Sequence, residues 1–233
     1  MTSGHRWAFK ARLRARAYGW RGSALASKRL KEAVREIKSV AKSDRVLAAE
    51  GCVSLVERLW PALEHIDTSS GALGGAVHRT LDELIPILIS APADVKTRSA
   101  WLERRFQAVM DDGVQYLSPV EDRWGEVAVY PELMAEYAER LRPLIRRVWI
   151  EEPPGGYVTG TSICLSCLLE AGRYADLIEL LACARMSGGI GIASVPRRSR
   201  GRERGMPRSP TPTAAARRNA TTSAGSTASA RMC

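Results

Sequence analysis

From residue 24 to residue 186, apolar side chains return every three or four positions, and no stretch in that span makes a convincing strand. Such spacing lines one face of an α-helix, so the span predicts helices throughout. Leu30, Val34, Ile37 and Val40 mark a first helix over 24–42. Asp44 is placed to cap a second, over 45–60, whose stripe includes Leu47, Cys52, Leu55, Val56, Leu59 and Trp60. Pro61 should bend or stop it. A third helix, over 72–90, carries Leu73, Val77, Leu81, Leu84, Ile85 and Leu88 inward, with a kink at Pro86. The fourth, over 94–111, carries Val95, Trp101, Leu102, Phe106, Val109 and Met110, with Gly113 as its C′ residue.

A short helix over 120–128 precedes a long one over 131–149 that opens on Pro131. The long helix should bury Leu133, Tyr137, Leu141, Leu144, Ile145 and Val148, and bend at Pro143. Ser162–Ala171 and Tyr174–Met186 form a last pair broken at Gly172. Short connections between helices imply antiparallel neighbours. The expected fold class is therefore all-α. Residues 23–186 should form an array of antiparallel helical hairpins, either a bundle or a short α-solenoid.

The formal charge of +10 is unevenly placed. Residues 1–50 hold 13 basic and 4 acidic side chains, residues 51–186 hold 13 and 20, and residues 187–233 hold 9 and 1. A nucleic-acid reading therefore belongs to the ends and not to the acidic body. Residues 1–22 read as a basic, partly helical arm in which Trp7, Phe9, Tyr18 and Trp20 stand among arginines. Arginine with aromatics can track a phosphate backbone and stack on bases. This nominates Arg6, Lys10, Arg12, Arg14, Arg16 and Arg21 as nucleic-acid contacts. The competing reading docks the aromatics on the first helices and leaves the arginines in water.

No motif nominates a catalytic, cofactor or metal site. The Cys164-Leu-Ser-Cys167 run lacks the preceding strand of a redox pair and a second ligand pair for zinc, so core thiols are expected. His65 and His78, near Asp67 and Asp82, read as part of a capping cluster with a partly buried histidine. The run Gly71–Gly75 should let two helices approach closely. Asp111, Asp112, Glu121, Asp122 and Glu126 should form a solvated acidic face. Five cysteines without a framework spacing suit a reducing compartment. With no signal peptide and no apolar run approaching the ~20 residues of a membrane span, the expected location is the cytoplasm.

The stretch GRYADLIELLACAR, 172–185, resembles the second helix of a tetratricopeptide repeat, with Gly172, Tyr174, Ile178, Leu181 and Ala184 at matching places. Leu177 departs from the small residue preferred there. More broadly, residues 8–186 resemble an uncharacterised bacterial family of helical-repeat proteins. The phrases that carry this likeness are VLAAEGCVSLVERLWPALEHID, SSGALGGAVHRTLDELIP and GTSICLSCLLEAGRYADLIELL. The resemblance implies a tandem-helical fold and brings no activity or binding residues.

At Ser187 the chain changes character. Residues 187–233 are dominated by Ala, Gly, Pro, Arg, Ser and Thr, with no Leu, aromatic or Lys. Such a segment cannot build a core and should be disordered. One reading is a basic tail for nucleic acid. The favoured one is a product of a shifted reading frame, since those residue types dominate when GC-rich DNA is read out of frame. On that reading the helical array continues in the other frame. The last helix should then expose an apolar side that includes Leu177, Leu180, Leu181 and Cys183. The function expected is that of a noncatalytic helical-repeat module binding another protein. The alternative is a nucleic-acid-associated protein using its arm.

Overall fold

Asp44 opens one of the long helices as the sequence indicates, and Asp94, expected as the first residue of the fourth helix, caps it from outside. The Asp44 carboxylate accepts the Leu47 N–H at 2.8 Å and that of Asp94 accepts the Thr97 N–H at 2.8 Å. The structure is a computed structural model that describes residues 5–69, 71–151 and 157–186. Its helices are α1 (Phe9–Arg12), α2 (Ser23–Ala41), α3 (Arg45–Leu63), α4 (Ala72–Ser90) and α5 (Val95–Asp111). They continue as α6 (Ser118–Asp122), α7 (Trp124–Ala128), α8 (Pro131–Ile150), α9 (Thr161–Glu170) and α10 (Tyr174–Met186). Among the described residues there is no strand. The tail expected over 187–233 lies outside the described residues.

Helix α2 packs on α3 and α4, α3 also on α4 and α5, and α9 on α6, α7, α8 and α10. The result is a helical bundle whose two halves are joined where α4 and α5 meet α6 and α7. Ring contacts carry that junction inward. Trp124 of α7 meets Tyr137 of α8 at 5.2 Å and Phe106 of α5 at 6.4 Å, both edge to face.

Several local expectations change. Pro61 does not stop α3, which runs on to Leu63, because Ala62 and Leu63 are fully buried and packing holds the last turn. Pro86 and Pro143 also stand inside helices, each exposed, so the carbonyls they leave unpaired face water. Gly113 is not a left-handed C′ residue. A Cβ there would come within 2.7 Å of the Trp60 ring, so its lack of a side chain serves packing. The 120–128 helix is two short ones, α6 and α7. In α8 the inward face rotates, leaving Leu144 exposed and burying Trp149.

The glycine run at the start of α4 does not bring helices together. Gly71 has φ +67° at the N-cap, and space is open around Gly74. Close approach occurs instead at Gly51, where an added Cβ would lie 2.5 Å from the Trp7 ring. That contact belongs to the N-terminal segment, which is packed on the bundle. Trp7, Phe9, Leu13 and Tyr18 are all buried, and Arg58 of α3 donates to the Lys10 carbonyl at 3.4 Å. The last helix also differs from expectation. Of the four residues named for its apolar side, Leu180 is buried and Leu177, Leu181 and Cys183 are half-buried, while Tyr174 and Ile178 are the more exposed.

Candidate functional site

The clearest concentration of unspent charge lies on α2. Ala26, Leu30, Ala33 and Ile37 face the core, which fixes the helix's rotation. Lys28, Lys31, Arg35 and Lys38 then fall on the exposed crest, and Lys42, the helical C-cap residue, extends it. Their steps of three and four residues keep them on one face over 14 residues, or about 21 Å of helix.

The acids of α2 do not balance this crest, because the N-terminal segment occupies them. The Glu36 carboxylate accepts the N–H groups of Ala8 at 2.6 Å and Phe9 at 3.1 Å, which caps α1. Glu32 pairs with Arg12 and with Arg29, each at 2.7 Å. The Arg29 hydrogen bond, together with the charges around it, holds the Glu32 carboxyl below the usual range.

Beside the crest, α2 and α4 enclose a groove of about 510 Å³. Val34 and Ala76 floor it, Lys31, Arg35, Lys38 and Arg79 supply cations, and Glu83 supplies the single carboxylate. Glu83 pairs with Lys38 at 2.7 Å. No ion pair is formed by Lys28, Lys31, Arg35, Lys42 or Arg79 among the described residues. Several arginines on the other helices are paired instead. Arg104 is clamped by Glu50 at 2.5 Å and Glu57 at 2.6 Å, Arg123 by Glu126, Arg140 by Glu103 and Arg173 by Glu139 and Asp176.

The six cations nominated from the sequence do not form this site. Arg12 is tied to Glu32, and Arg16 lies 3.6 Å from Glu64 with φ +56°. Arg6, Arg14 and Arg21 are exposed and Lys10 is half-buried, without ion pairs among the described residues. Of the aromatics meant to stack on bases, Trp7, Phe9 and Tyr18 are in the core and only Trp20 is exposed. The α2 crest was missed, although its signal is in the sequence as cations at 28, 31, 35, 38 and 42.

Cys164 and Cys167 are fully buried thiols, pushed up by burial to about 11 and about 12. That is the opposite of an activated nucleophile. Neither histidine is partly buried as expected: His65 and His78 are both exposed. Among the described residues, no cluster of three His, Cys, Asp or Glu is placed to hold a metal, and no helix is long and apolar enough to cross a membrane.

The acidic loop is not uniformly solvated. Asp112 organises it by accepting the N–H groups of Val114 and Leu117, and Glu121 is buried. Burial, with repulsion from Asp122 and Asp112, raises the Glu121 carboxyl to about 7. Two arginines of α5 are also buried. Arg98 donates to the carbonyls of Leu88, Val127 and Ala91, whereas Arg105 has no hydrogen-bond partner and rests over the Trp124 ring at 4.9 Å.

Comparison with protein-family models, curated protein sequences and solved structures finds no match to this chain.

Proposed function

We propose that this chain is a noncatalytic helical-repeat interaction protein that docks a partner polypeptide on the outer side of α9 and α10. The carrying observation is the apolar surface there. Leu169, Tyr174 and Ile178 are 50%, 59% and 67% exposed, and Tyr174 and Ile178 lie one helical turn apart. Large apolar side chains left in water favour a partner that removes them from it. The same hairpin carries the tetratricopeptide-like pattern, which supports a repeat-type binding role. The buried thiols of Cys52, Cys164 and Cys167, none in a disulfide, support a reducing, cytoplasmic setting.

A photo-crosslinking residue at position 178 tests the reading in cells. A discrete cross-linked protein is expected, lost when Leu169→Glu and Tyr174→Glu are combined in a chain that keeps its helical circular dichroism. Absence of any cross-linked protein would overturn it. So would a hydrolase, transferase or redox activity abolished by a point substitution in the bundle.

A further inference from the structure

We infer that the basic crest of α2, with Arg79 of α4 across the groove, is a sequence-independent binding site for the phosphate backbone of a nucleic-acid duplex. Five exposed cations with no intervening acid on one helix face repel one another, and such pairs cost a helix about 0.2–0.5 kcal/mol each. Elsewhere the fold matches many exposed arginines to a carboxylate. Here the two nearest acids on α2, Glu32 and Glu36, are held by the docked N-terminal segment. With Lys38 paired to Glu83, the crest keeps Lys28, Lys31, Arg35 and Lys42 without an ion pair among the described residues, a positive field that an outside anion would neutralise.

Its length and lining select the anion. Duplex DNA presents a phosphate on each strand about every 3.4 Å, so the ~21 Å crest faces roughly six phosphates of one strand. No aromatic ring lines the groove, so it offers no platform for unpaired bases. Its apolar floor is only Val34 and Ala76, too little to seat the anchors of an amphipathic partner helix or to enter a bilayer. What remains is a straight row of charge, which fits a backbone and reads no sequence.

The test measures how salt weakens binding of the full chain to a short random-sequence DNA duplex. The variant Lys28→Gln/Lys31→Gln/Arg35→Gln/Lys42→Gln removes four exposed charges without touching the core. The slope of log K against log salt should become shallower by about 3–4, since each neutralised phosphate contributes about 0.9. Cations elsewhere in the chain contribute equally to both proteins, so the difference isolates the crest. The control Arg6→Gln/Lys10→Gln/Arg14→Gln/Arg21→Gln should change the slope by less than about 1. An unchanged slope in the crest variant overturns the inference, as does a loss confined to the control. Crest-dependent binding to phosphatidylserine vesicles or polyglutamate, without crest-dependent binding to the duplex, overturns it in favour of a membrane or an acidic protein. The readout is independent of the α9–α10 face, so either proposal can fail alone.

Discussion

Arg98 and Arg105 show how differently one residue type can behave seven positions apart on a helix. Both are buried on the inward stripe of α5. Arg98 serves three backbone carbonyls at 2.6–2.9 Å and so ties the end of α4 to α7. Arg105 makes no hydrogen bond, and burial lowers its guanidinium to about 10. Replacing an unpaired buried cation with an apolar chain of similar volume removes a desolvation cost. Arg105→Met is therefore expected to raise the thermal midpoint by about 2–4 °C, corresponding to about 1 kcal/mol. Arg98→Met leaves three buried acceptors unserved and should cost about 3 kcal/mol in urea unfolding. A midpoint lowered by Arg105→Met would show that its charge is compensated in solution.

Glu121 makes a pH prediction at the same scale. Its folded carboxyl is raised to about 7, well above an unfolded glutamate near 4.3. Between those values the folded state binds more protons than the unfolded one, so stability falls as pH rises and is fully present only below the unfolded value. The steepest decline should approach 1.4 kcal/mol per pH unit. Glu121→Gln should flatten midpoint against pH over that window and be more stable than the parent at pH 8. An unaltered profile would remove Glu121 as the source.

At the scale of elements, most helices were legible because an amphipathic period survives any tertiary context. The cap at Asp44 was equally local, and the same short-range signal was present at Asp94. For the N-terminal segment the competing reading, with its aromatics docked on the first helices, fits Trp7, Phe9 and Tyr18; what was not legible was where it docks. Its alternation of apolar and basic residues resembles a strand. In the structure, Phe9 and Leu13 are buried one turn apart, and the Trp7 ring packs closely against Gly51. That contact joins residues far apart in sequence, as do the Glu36 bonds to Ala8 and Phe9. The unbalanced crest of α2 depends on this docking, so its cations could be counted from the sequence but not recognised as unpaired. Arg98 and Arg105 were missed because charge was read as outward, although both share a stripe with Trp101, Leu102 and Val109.

The docking can be broken from the α3 side. Gly51→Ala gains about 1 kcal/mol of helix propensity but drives a methyl group into a buried indole. Overpacking typically costs about 1–3 kcal/mol, so the net effect should be a loss of about 1 kcal/mol. The segment should loosen, and trypsin should cleave after Arg12, Arg14 and Arg16 faster than in the parent. Equal cleavage would mean that Trp7 does not anchor it.

For the whole molecule, the question is whether the two halves of the bundle unfold together. Helices α2–α5 form one layer of contacts and α6–α10 another, joined by α4 and α5 against α6 and α7 and by side chains of α8, Tyr137 and Arg140, on Glu103 and Phe106 of α5. Trp124 stands at that joint. It is fully buried, forms a three-ring cluster with Phe106 and Tyr137, and carries the Arg105 guanidinium on its face. Removing so large a buried ring costs about 3–5 kcal/mol, and most of that loss falls on contacts between the halves. The parent should unfold in one transition, with calorimetric and van't Hoff enthalpies equal. Trp124→Ala should split the melt. The α2–α5 layer should keep most of its stability, since its own core from Leu30 to Leu88 is untouched, while α6–α10 unfolds first. Hydrogen exchange read helix by helix would show the order. A single cooperative transition shifted to lower temperature would instead mean that the rest of the joint, including Arg98 bridging Ala91 and Val127, is enough to hold the halves as one unit.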